Sequence, residues 1–422
     1  MIHRKKFFYF FCLSLFVISI FFFSNINFFY ETRIKFGKAI QIGINFLFKK
    51  KNNENLKTKI NSGLLTSKFE DLKFKTINLN KRDFFMRRPL GYLEIIDDNI
   101  IYLASDGNIL VVNDDFSKRE IKSNIKSFFN NKIDLSKNVV LLSYALKPIR
   151  DLLYHEGFLY VVIFHKESFD SDVRFSTAVL KGKFNYDYID FEYFFKPDSY
   201  LNEKIDTTHA GGRIVVNQKK EFYLAVPEYY QVDKVNKLDN IFGKILKIKS
   251  IDDYEIISIG HRNPQGLYYD KENDLLIESE HGPSAGDEIN LIRFGKNYGW
   301  PTTSVGVDSA LSVKYHDHIK QGFEPPIYSP LLYSFGPSQI IKISKKSKFN
   351  FKGQYILASL SGHDKYVGNH LYIFKIVNKK KAIISEKIFI NDRVRDIIYD
   401  KRRDRIILTL ENQQAVGIIT KN

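Results

Sequence analysis

One short pattern recurs six times along this chain: an apolar strand, a polar turn and a second apolar strand. The copies occupy residues 92–105, 149–163, 212–226, 265–279, 339–359 and 394–410. They start roughly 50 to 75 residues apart, a spacing that suits four-stranded blades better than the shorter repeats of solenoids. The repeat therefore predicts an all-β fold, a six-bladed β-propeller.

The chain from residue 65 onward has the texture of strands and turns. Short β-branched and aromatic runs alternate with turns rich in Asn, Asp, Gly and Lys, and no helical periodicity is sustained. Closing the blades into a ring leaves few exposed sheet edges, which explains how one domain can hold so many strands. We assign residues 65–422 to the propeller, with a β-sandwich as the alternative fold.

The N terminus carries an uninterrupted apolar run from Phe7 to Phe23 that continues with few polar residues to Tyr30. A helix of that length reaches about 34 Å, enough to cross the hydrocarbon layer. We predict a basic cytoplasmic start and a transmembrane signal-anchor helix over residues 1–30. A cleaved signal peptide is the alternative, but no small-residue cleavage site follows the run. The basic start predicts that the propeller lies on the outer, periplasmic or extracytoplasmic, face.

Residues 31–64 form the predicted stalk, which is basic and contains scattered apolar side chains. It is either an amphipathic segment on the membrane surface or a solvated linker, and the sequence favours neither.

The formal net charge of +16 is concentrated near the start of the chain. Residues 1–60 contain eleven Lys or Arg and two Glu, so this short segment carries +9 of the total. Basic residues beside an apolar run attract anionic lipid headgroups, and the charge therefore predicts a membrane contact and no nucleic-acid partner. Cys12, the single cysteine, excludes an intrachain disulfide and a cysteine-based zinc site.

The most specific stretch covers residues 260–301 and reads GHRNPQGLYYDKENDLLIESEHGPSAGDEINLIRFGKNYGWP. In order and spacing it resembles the signature of the glucose/sorbosone dehydrogenase family, the soluble quinoprotein sugar dehydrogenases. A weaker likeness extends from about residue 90 to the C terminus.

The resemblance implies a six-bladed propeller that holds pyrroloquinoline quinone and a calcium ion where axial loops converge. It also implies an oxidoreductase that oxidises an aldose-type sugar to its lactone, with hydride transfer to the quinone. Such a reaction needs a base for the hydroxyl proton and cations for the charge that develops on the quinone oxygen. The small-molecule partner would be a sugar, and the sequence does not identify the electron acceptor.

Matching the family's motifs residue by residue assigns the catalytic positions. His209, in DTTHAGGRIV, matches the catalytic base, and an imidazole suits proton abstraction at neutral pH. Arg262 and Asn263, in GHRNPQG, match the pair that points at the quinone. A guanidinium can brace a developing oxyanion because it keeps its charge.

The same matching assigns the cofactor and metal positions. Arg393 and Arg395, in DRVRDI, match two arginines that hold quinone carboxylates. Gly282 and Pro283, in EHGP, match the residues whose backbone carbonyls bind calcium, an ion that accepts neutral oxygens well. A separate pair, Glu288 and Tyr298, lies where some members bind an additional structural calcium ion.

Three departures separate this chain from the family pattern. The strand after the catalytic His normally ends in Gly-Asp, and this Asp helps to orient the base. Here residues 226–228 read Val-Pro-Glu, so the carboxylate is missing unless Glu228 substitutes from a shifted position. An early cofactor-binding Gln has no counterpart between residues 143 and 150. A Lys of the fifth blade is replaced by Ser361, with His363 and Lys365 nearby.

The departures leave a second hypothesis open, a catalytically degenerate propeller that acts as an envelope binding or assembly module. A hydrolase is not favoured. Residues 282–286 fit the G-x-S-x-G pattern, but that elbow leads from a strand into a helix, whereas alternating strand-like residues follow here.

Overall fold

The six predicted units form the two inner strands of six antiparallel sheets. The computed structural model describes residues 60–67, 71–79, 91–113, 115–129, 148–169, 172–201, 209, 211–283, 285–306, 318–330, 334–360 and 369–422. The predicted transmembrane helix and most of the predicted stalk lie outside these ranges. Among the described residues, no helix is long and apolar enough to cross a membrane.

Blades 1 to 3 follow one another along the chain. Blade 1 comprises Gly91–Ile96, Asn99–Ala104, Ile109–Val112 and Lys118–Ser123, with Tyr188–Ile189 paired in parallel to its outermost strand. Blade 2 comprises Ile149–His155, Phe158–Phe169, Asp172–Lys183 and Phe191–Phe195. Blade 3 comprises Arg213–Val216, Phe222–Val226, Lys244–Ile248 and Tyr254–Ile259, with Lys296–Asn297 in parallel at its edge. Two 3-10 helices are Ile125–Phe128 and Val232–Lys234.

Blades 4 to 6 complete the set. Blade 4 comprises Pro264–Asp270, Leu275–Glu280 and Glu288–Ile292, and blade 5 comprises Pro337–Lys342, Tyr355–Ser359, His370–Val377 and Lys381–Phe389. Blade 6 comprises Val394–Asp400, Arg405–Leu410 and Ala415–Lys421, together with the early strands Asp71–Asn78 and Ile60–Thr66. The first described strand thus begins at Ile60, within the last residues of the predicted stalk.

The inner strands surround a common axis. Each contacts the inner strand of the next blade, and the inner strand of blade 6 contacts that of blade 1, which closes the ring. Blade 6 combines the two ends of the described chain, because Asp71–Asn78 pairs antiparallel with Ala415–Lys421. The prediction of an all-β, six-bladed propeller is confirmed.

The sequence explains why these segments form blades. Strands in the middle of a blade are covered on both faces by neighbouring blades, and Arg405–Leu410 and Tyr355–Ser359 are buried throughout. The outermost strand Lys381–Phe389 instead alternates exposed and covered positions. Asp97 and Asp98 both have positive φ in the two-residue turn of the first unit, the conformation that tight hairpins require.

Apolar clusters fill the spaces between neighbouring blades, but unequally. The largest, between blades 5 and 6, contains 18 buried residues. The smallest, between blades 3 and 4, contains six, namely Ala225, Ile245, Ile257, Leu267, Ile292 and Tyr298. Among the described residues, the interface between blades 3 and 4 therefore has the least apolar packing.

A buried ionic network crosses the axis of the ring. Nη1 of Arg213, in blade 3, lies 2.7 Å from Oδ1 of Asp151 in blade 2 and 2.8 Å from Oδ1 of Asp396 in blade 6. Its Nε donates to the carbonyl oxygen of Gln265 in blade 4 at 2.8 Å. The Asp396 carboxylate also accepts the backbone N–H of Leu93, in blade 1, at 2.8 Å. Arg213 and its two carboxylate partners thus link inner strands from five of the six blades.

Replacing Arg213 with Met is expected to lower the free energy of unfolding by about 3–5 kcal/mol, because two buried carboxylates lose their counter-ion. Urea unfolding, followed by the fluorescence of Trp300, measures the change. The matched control is Lys220→Ala, which breaks an exposed ion pair with Glu156 and should change stability little. A similar small effect of both variants would show that the axial network does not constrain the fold.

Candidate active site

The predicted site residues lie at one end of the ring, where inner strands begin and second strands end. Arg262 and Asn263 precede the inner strand of blade 4, and Arg393 precedes that of blade 6. His209 lies four residues before the inner strand of blade 3. Loops from separate blades therefore reach the same end of the axis, as propeller geometry requires.

Close backbone contact explains the two glycines after His209. A Cβ atom on Gly211 would lie 1.7 Å from the carbonyl oxygen of Pro264, and Gly212 has φ +124°. The N–H of Gly212 donates to this carbonyl at 3.2 Å. Only glycine permits this approach, which brings the His209 segment against the Arg262–Asn263 segment.

His209 is buried and makes two specific contacts. Its Nδ1 lies 2.6 Å from Oε1 of the fully buried Glu228. The ring of Tyr230 stacks on the imidazole with a centroid distance of 3.6 Å and an interplanar angle of 15°. Glu228 thus supplies, from a shifted position, the carboxylate that the family pattern places elsewhere. Of the two alternatives left open by the sequence, substitution by Glu228 is the one observed.

The surroundings favour a neutral imidazole at His209. Burial, followed by the nearby charge of Arg262, lowers the pKa of His209 well below its usual value. Burial raises the pKa of Glu228 to about 7, although Arg262 opposes this shift. The short contact between His209 and Glu228 opposes both pKa shifts, because imidazolium and carboxylate attract each other and each stabilises the charged form of the other. With Nδ1–H donated to Glu228, Nε2 is the nitrogen left to act as a base.

Arg262 connects the segment of Glu228, the partner of His209, to the EHGP loop, residues 280–283. Its backbone N–H donates to Oε2 of Glu280 at 2.6 Å, and its carbonyl accepts the N–H of Glu228 at 3.0 Å. The guanidinium donates from Nη1 to the carbonyl oxygens of His281, at 3.1 Å, and Gly282, at 3.0 Å. Backbone contacts on both sides therefore fix the position of Arg262.

The predicted calcium ligands lie in a tight turn beside this guanidinium. A Cβ on Gly282 would lie 1.9 Å from the carbonyl oxygen of Gly286, so only glycine fits. The Pro283 carbonyl accepts the N–H of Gly286 at 2.7 Å. Each carbonyl oxygen has two lone pairs, so these bonds leave capacity for a cation. Ser284 lies outside the described residues, and the strand Glu288–Ile292 follows the turn where a hydrolase elbow would need a helix.

Asn263 holds the loops together. Its Oδ1 accepts the N–H of Gly211 and an Nε2–H of Gln265, each at 3.0 Å. Its backbone N–H donates to Glu280 at 3.2 Å. The side-chain oxygen is therefore used in joining blades 3 and 4.

Arg393 and Arg395 come together on one buried carboxylate. Arg393 Nε lies 2.6 Å from Oε2 of Glu411, and Arg395 Nε lies 2.7 Å from its Oε1. The two guanidinium charges oppose the effect of burial and lower the pKa of Glu411. Arg395 also donates from Nη1 to Oε1 of Gln265 at 2.7 Å. Glu411 thus aligns the two arginines as a pair.

The three predicted arginines act on a common neighbour, His281. Burial is the main cause of its low pKa, about 3, and the charges of Arg395, Arg393 and Arg262 add to the effect. Cations from blades 4 and 6 therefore lie at the same end of the ring. Such a concentration of guanidinium groups suits an anionic ligand with several carboxylates.

Sequence reasoning missed several contributors to this site. Glu411 and Tyr230 were not singled out, although a carboxylate directly after an apolar strand is a signal that could have suggested Glu411. Gln265 was quoted in the motif but given no role. Ser361, His363 and Lys365, the residues of the fifth-blade departure, lie outside the described residues.

Comparisons with known proteins agree with this architecture. The family model described as Glucose / Sorbosone dehydrogenase matches residues 86–419. An aldose sugar dehydrogenase of Escherichia coli, YliI, is 33% identical over 136 residues, which are 28% of this chain and 37% of that protein. The aligned stretch thus spans little more than a third of this relative.

Two solved structures share the fold. The apo soluble aldose sugar dehydrogenase of Escherichia coli has a TM-score of 0.63 at 18% identity, covering 86% of this chain and all of that one. The PQQ-bound aldose sugar dehydrogenase of Streptomyces coelicolor has a TM-score of 0.55 at 17% identity, covering 87% and 100%. These likenesses support the propeller, and the family model covers most of the sequence. The chain belongs to the glucose/sorbosone dehydrogenase family.

Proposed function

We propose that this protein is a membrane-anchored quinoprotein oxidoreductase that oxidises an aldose-type sugar to its lactone. The observation that carries the proposal is the buried His209–Glu228 pair, which is hydrogen-bonded to the Arg262 backbone, at the end of the ring that also holds the Arg393–Arg395 pair. A neutral base next to concentrated positive charge is what removal of a hydroxyl proton and hydride together requires.

The residues present fit pyrroloquinoline quinone, a tricarboxylate. Arg262, Arg393 and Arg395 lie at the same end of the ring, and one carboxylate, Glu411, neutralises only part of the charge of Arg393 and Arg395 while holding them in alignment. We assign the grip on the cofactor carboxylates to Arg393 and Arg395, and contact with the quinone to Arg262 and Asn263. When bound, the quinone supplies the carbon that accepts hydride from the sugar.

We further assign calcium binding to the carbonyl oxygens of Gly282 and Pro283. Both belong to a turn in which no side chain fits at Gly282. Because Gly282 has no side chain, a ligand can come close to its backbone. Calcium commonly takes backbone carbonyls as ligands. The ion would share the Gly282 carbonyl with the Arg262 guanidinium.

In the proposed reaction, residues of the chain supply the base, its orientation and the stabilising positive charge. His209 Nε2 accepts the proton of the anomeric hydroxyl, and the Glu228 carboxylate stabilises the resulting imidazolium through Nδ1–H. The Arg262 guanidinium would stabilise the negative charge that develops on the oxygen of the hydride acceptor. Stacking of Tyr230 on His209 restricts rotation of the ring, so that Nε2 keeps its direction.

The main test is reconstitution of the full-length protein with pyrroloquinoline quinone and calcium, followed by dye reduction with a panel of aldoses. Turnover is expected in the wild type. His209→Ala should lower kcat by about 10²–10⁴-fold while cofactor binding, measured by absorbance, is retained. Absence of both binding and turnover in the wild type would instead favour the degenerate binding or assembly module.

The pH dependence of kcat should follow the His209–Glu228 pair. Activity is expected to rise with pH through an apparent pKa near 7, because protonation of Glu228 removes the negative charge that stabilises the imidazolium formed at His209. Glu228→Gln should reduce kcat by at least about 10-fold and abolish this limb of the profile, since an amide does not titrate. An unchanged profile in Glu228→Gln would assign the titration to another group.

For the membrane anchor, we propose that residues 1–30 hold the propeller at the outer face of the membrane. The full chain should remain in the membrane fraction after an alkaline carbonate wash, and protease added to intact spheroplasts should digest the propeller. Deletion of residues 1–30 should abolish membrane retention. Release of the unmodified chain by the carbonate wash would refute an integral anchor.

A further inference from the structure

The interface between blades 3 and 4 combines the smallest apolar cluster with a group of buried polar side chains. Glu278 and Glu280 lie on the second strand of blade 4, and Glu288 and Asn290 lie opposite them on the third. Leu276, which shares their face by strand alternation, packs against the cluster between blades 3 and 4. These polar groups therefore point towards blade 3.

His261 approaches the same space from the segment that links the two blades. His261, Glu278 and Glu280 each place one potential ligand atom within 4.8 Å of the others. His261 Nε2 is hydrogen-bonded to Ser258 Oγ at 2.8 Å, so Nδ1 is the nitrogen that faces Glu280, 3.5 Å from Oε1. An outer partner of this kind commonly orients a metal-binding imidazole. We call these three residues the interface cluster.

Two atoms of the interface cluster lack a hydrogen-bond partner among the described residues. They are Nδ1 of His261 and Oε1 of Glu278, both in side chains with 0% exposure. An unsatisfied polar atom in a protein interior is destabilising, because it has lost its hydrogen bonds to water and gained none in return. Their position inside the cluster indicates a missing partner that accepts one nitrogen and one oxygen lone pair.

The carboxylates also lack sufficient positive charge. Nδ2 of Asn290 lies 3.0 Å from Glu278, 3.2 Å from Glu280 and 3.2 Å from Glu288. A neutral amide has two hydrogens to offer three acidic groups. Glu278 and Glu280 lie on one face of their strand and Glu288 lies directly opposite Glu280, so three buried carboxylates are close together and repel one another when ionised. A divalent cation would remove this repulsion.

We propose that His261, Glu278 and Glu280 bind a divalent first-row transition-metal ion, such as Zn²⁺ or Mn²⁺, that joins blades 3 and 4. One imidazole nitrogen with two carboxylate oxygens is a donor set that such ions accept, whereas calcium prefers six to eight oxygens. Metal–ligand bonds of about 2.0–2.2 Å would draw the three atoms together by small side-chain rotations.

This site is distinct from the calcium positions that the family resemblance implies. Gly282 and Pro283 lie in the following turn, and Tyr298 contacts the interface cluster through stacking of its ring on His261, at 4.7 Å. The amide of Asn290 is hydrogen-bonded to Glu288 as well as to Glu278 and Glu280. The second oxygen of Glu280 accepts the backbone N–H groups of Arg262 and Asn263. A metal ion bound to Glu280 would therefore have a structural role, because it would fix the carboxylate that holds this segment. The ion would thus stabilise the Arg262–Asn263 segment through Glu280.

The test uses the full chain purified without chelators, then stripped with EDTA and supplied with Zn²⁺, Mn²⁺ or Ca²⁺. We expect elemental analysis to find one transition ion per chain before stripping. Zn²⁺ or Mn²⁺ should raise the midpoint of thermal unfolding of the stripped protein by at least about 5 °C. Co²⁺ should give visible absorption bands that report on ligation and need no enzyme activity.

Glu278→Gln keeps the shape of the side chain and removes a ligand charge, so it should weaken binding at least about 10-fold and change the Co²⁺ spectrum. Glu94→Gln is the matched control, because burial raises the pKa of Glu94 to about 8, yet Glu94 lies in blade 1. The control should keep the full metal-dependent shift. Stabilisation by Ca²⁺ alone, equal responses of both variants, or wild-type protein without a transition ion would overturn the proposal.

Discussion

The salt-bridged guanidinium of Arg213 is the contact on which the rest of the ring depends. Burial alone would lower the pKa of Arg213, but Asp151 and Asp396 raise it, so the charge persists in the interior. A buried charge without its partner would raise the free energy of the folded protein. The inner strands are therefore restricted to arrangements that keep these charges paired. Because Arg213 also donates to the carbonyl of Arg395, the same network fixes the strand that carries the arginine pair.

The active-site end builds on this constraint. Arg213 belongs to the same short motif as His209, so the segment that joins the inner strands at the axis also carries the proposed base. The glycines between them allow the loop to touch the Pro264 carbonyl, and Asn263 completes the connection by accepting the N–H of Gly211. The contacts that stabilise the centre of the ring therefore also hold His209 in place. Because these contacts are buried and rigid, the proposed base is held rigidly too.

The blade 3–blade 4 interface shows how polar groups can replace apolar area. Its apolar cluster is small, and a buried set of acids, an amide and an imidazole occupies space that hydrophobic side chains fill elsewhere. Such groups stabilise an interface only when each is satisfied, which is why the unpartnered atoms of His261 and Glu278 are informative. Glu280 joins this interface to the Arg262 backbone, so packing between blades and the geometry of the site are coupled.

The sequence by itself determined the fold, because alternation and turn residues act locally: each of the six units became an inner hairpin, and the Asp97–Asp98 turn was readable from residue types alone. It also singled out His209, Arg262 and the arginine pair through motif order. Only the tertiary structure decided that Glu228 orients His209, that Glu411 aligns Arg393 with Arg395, and that the early strand Asp71–Asn78 closes blade 6. These contacts join residues that are 16 or more positions apart, or lie at opposite ends of the chain, and depend on how far a side chain reaches across a loop. A linear pattern does not encode such distances, whereas closure of the ring sets them.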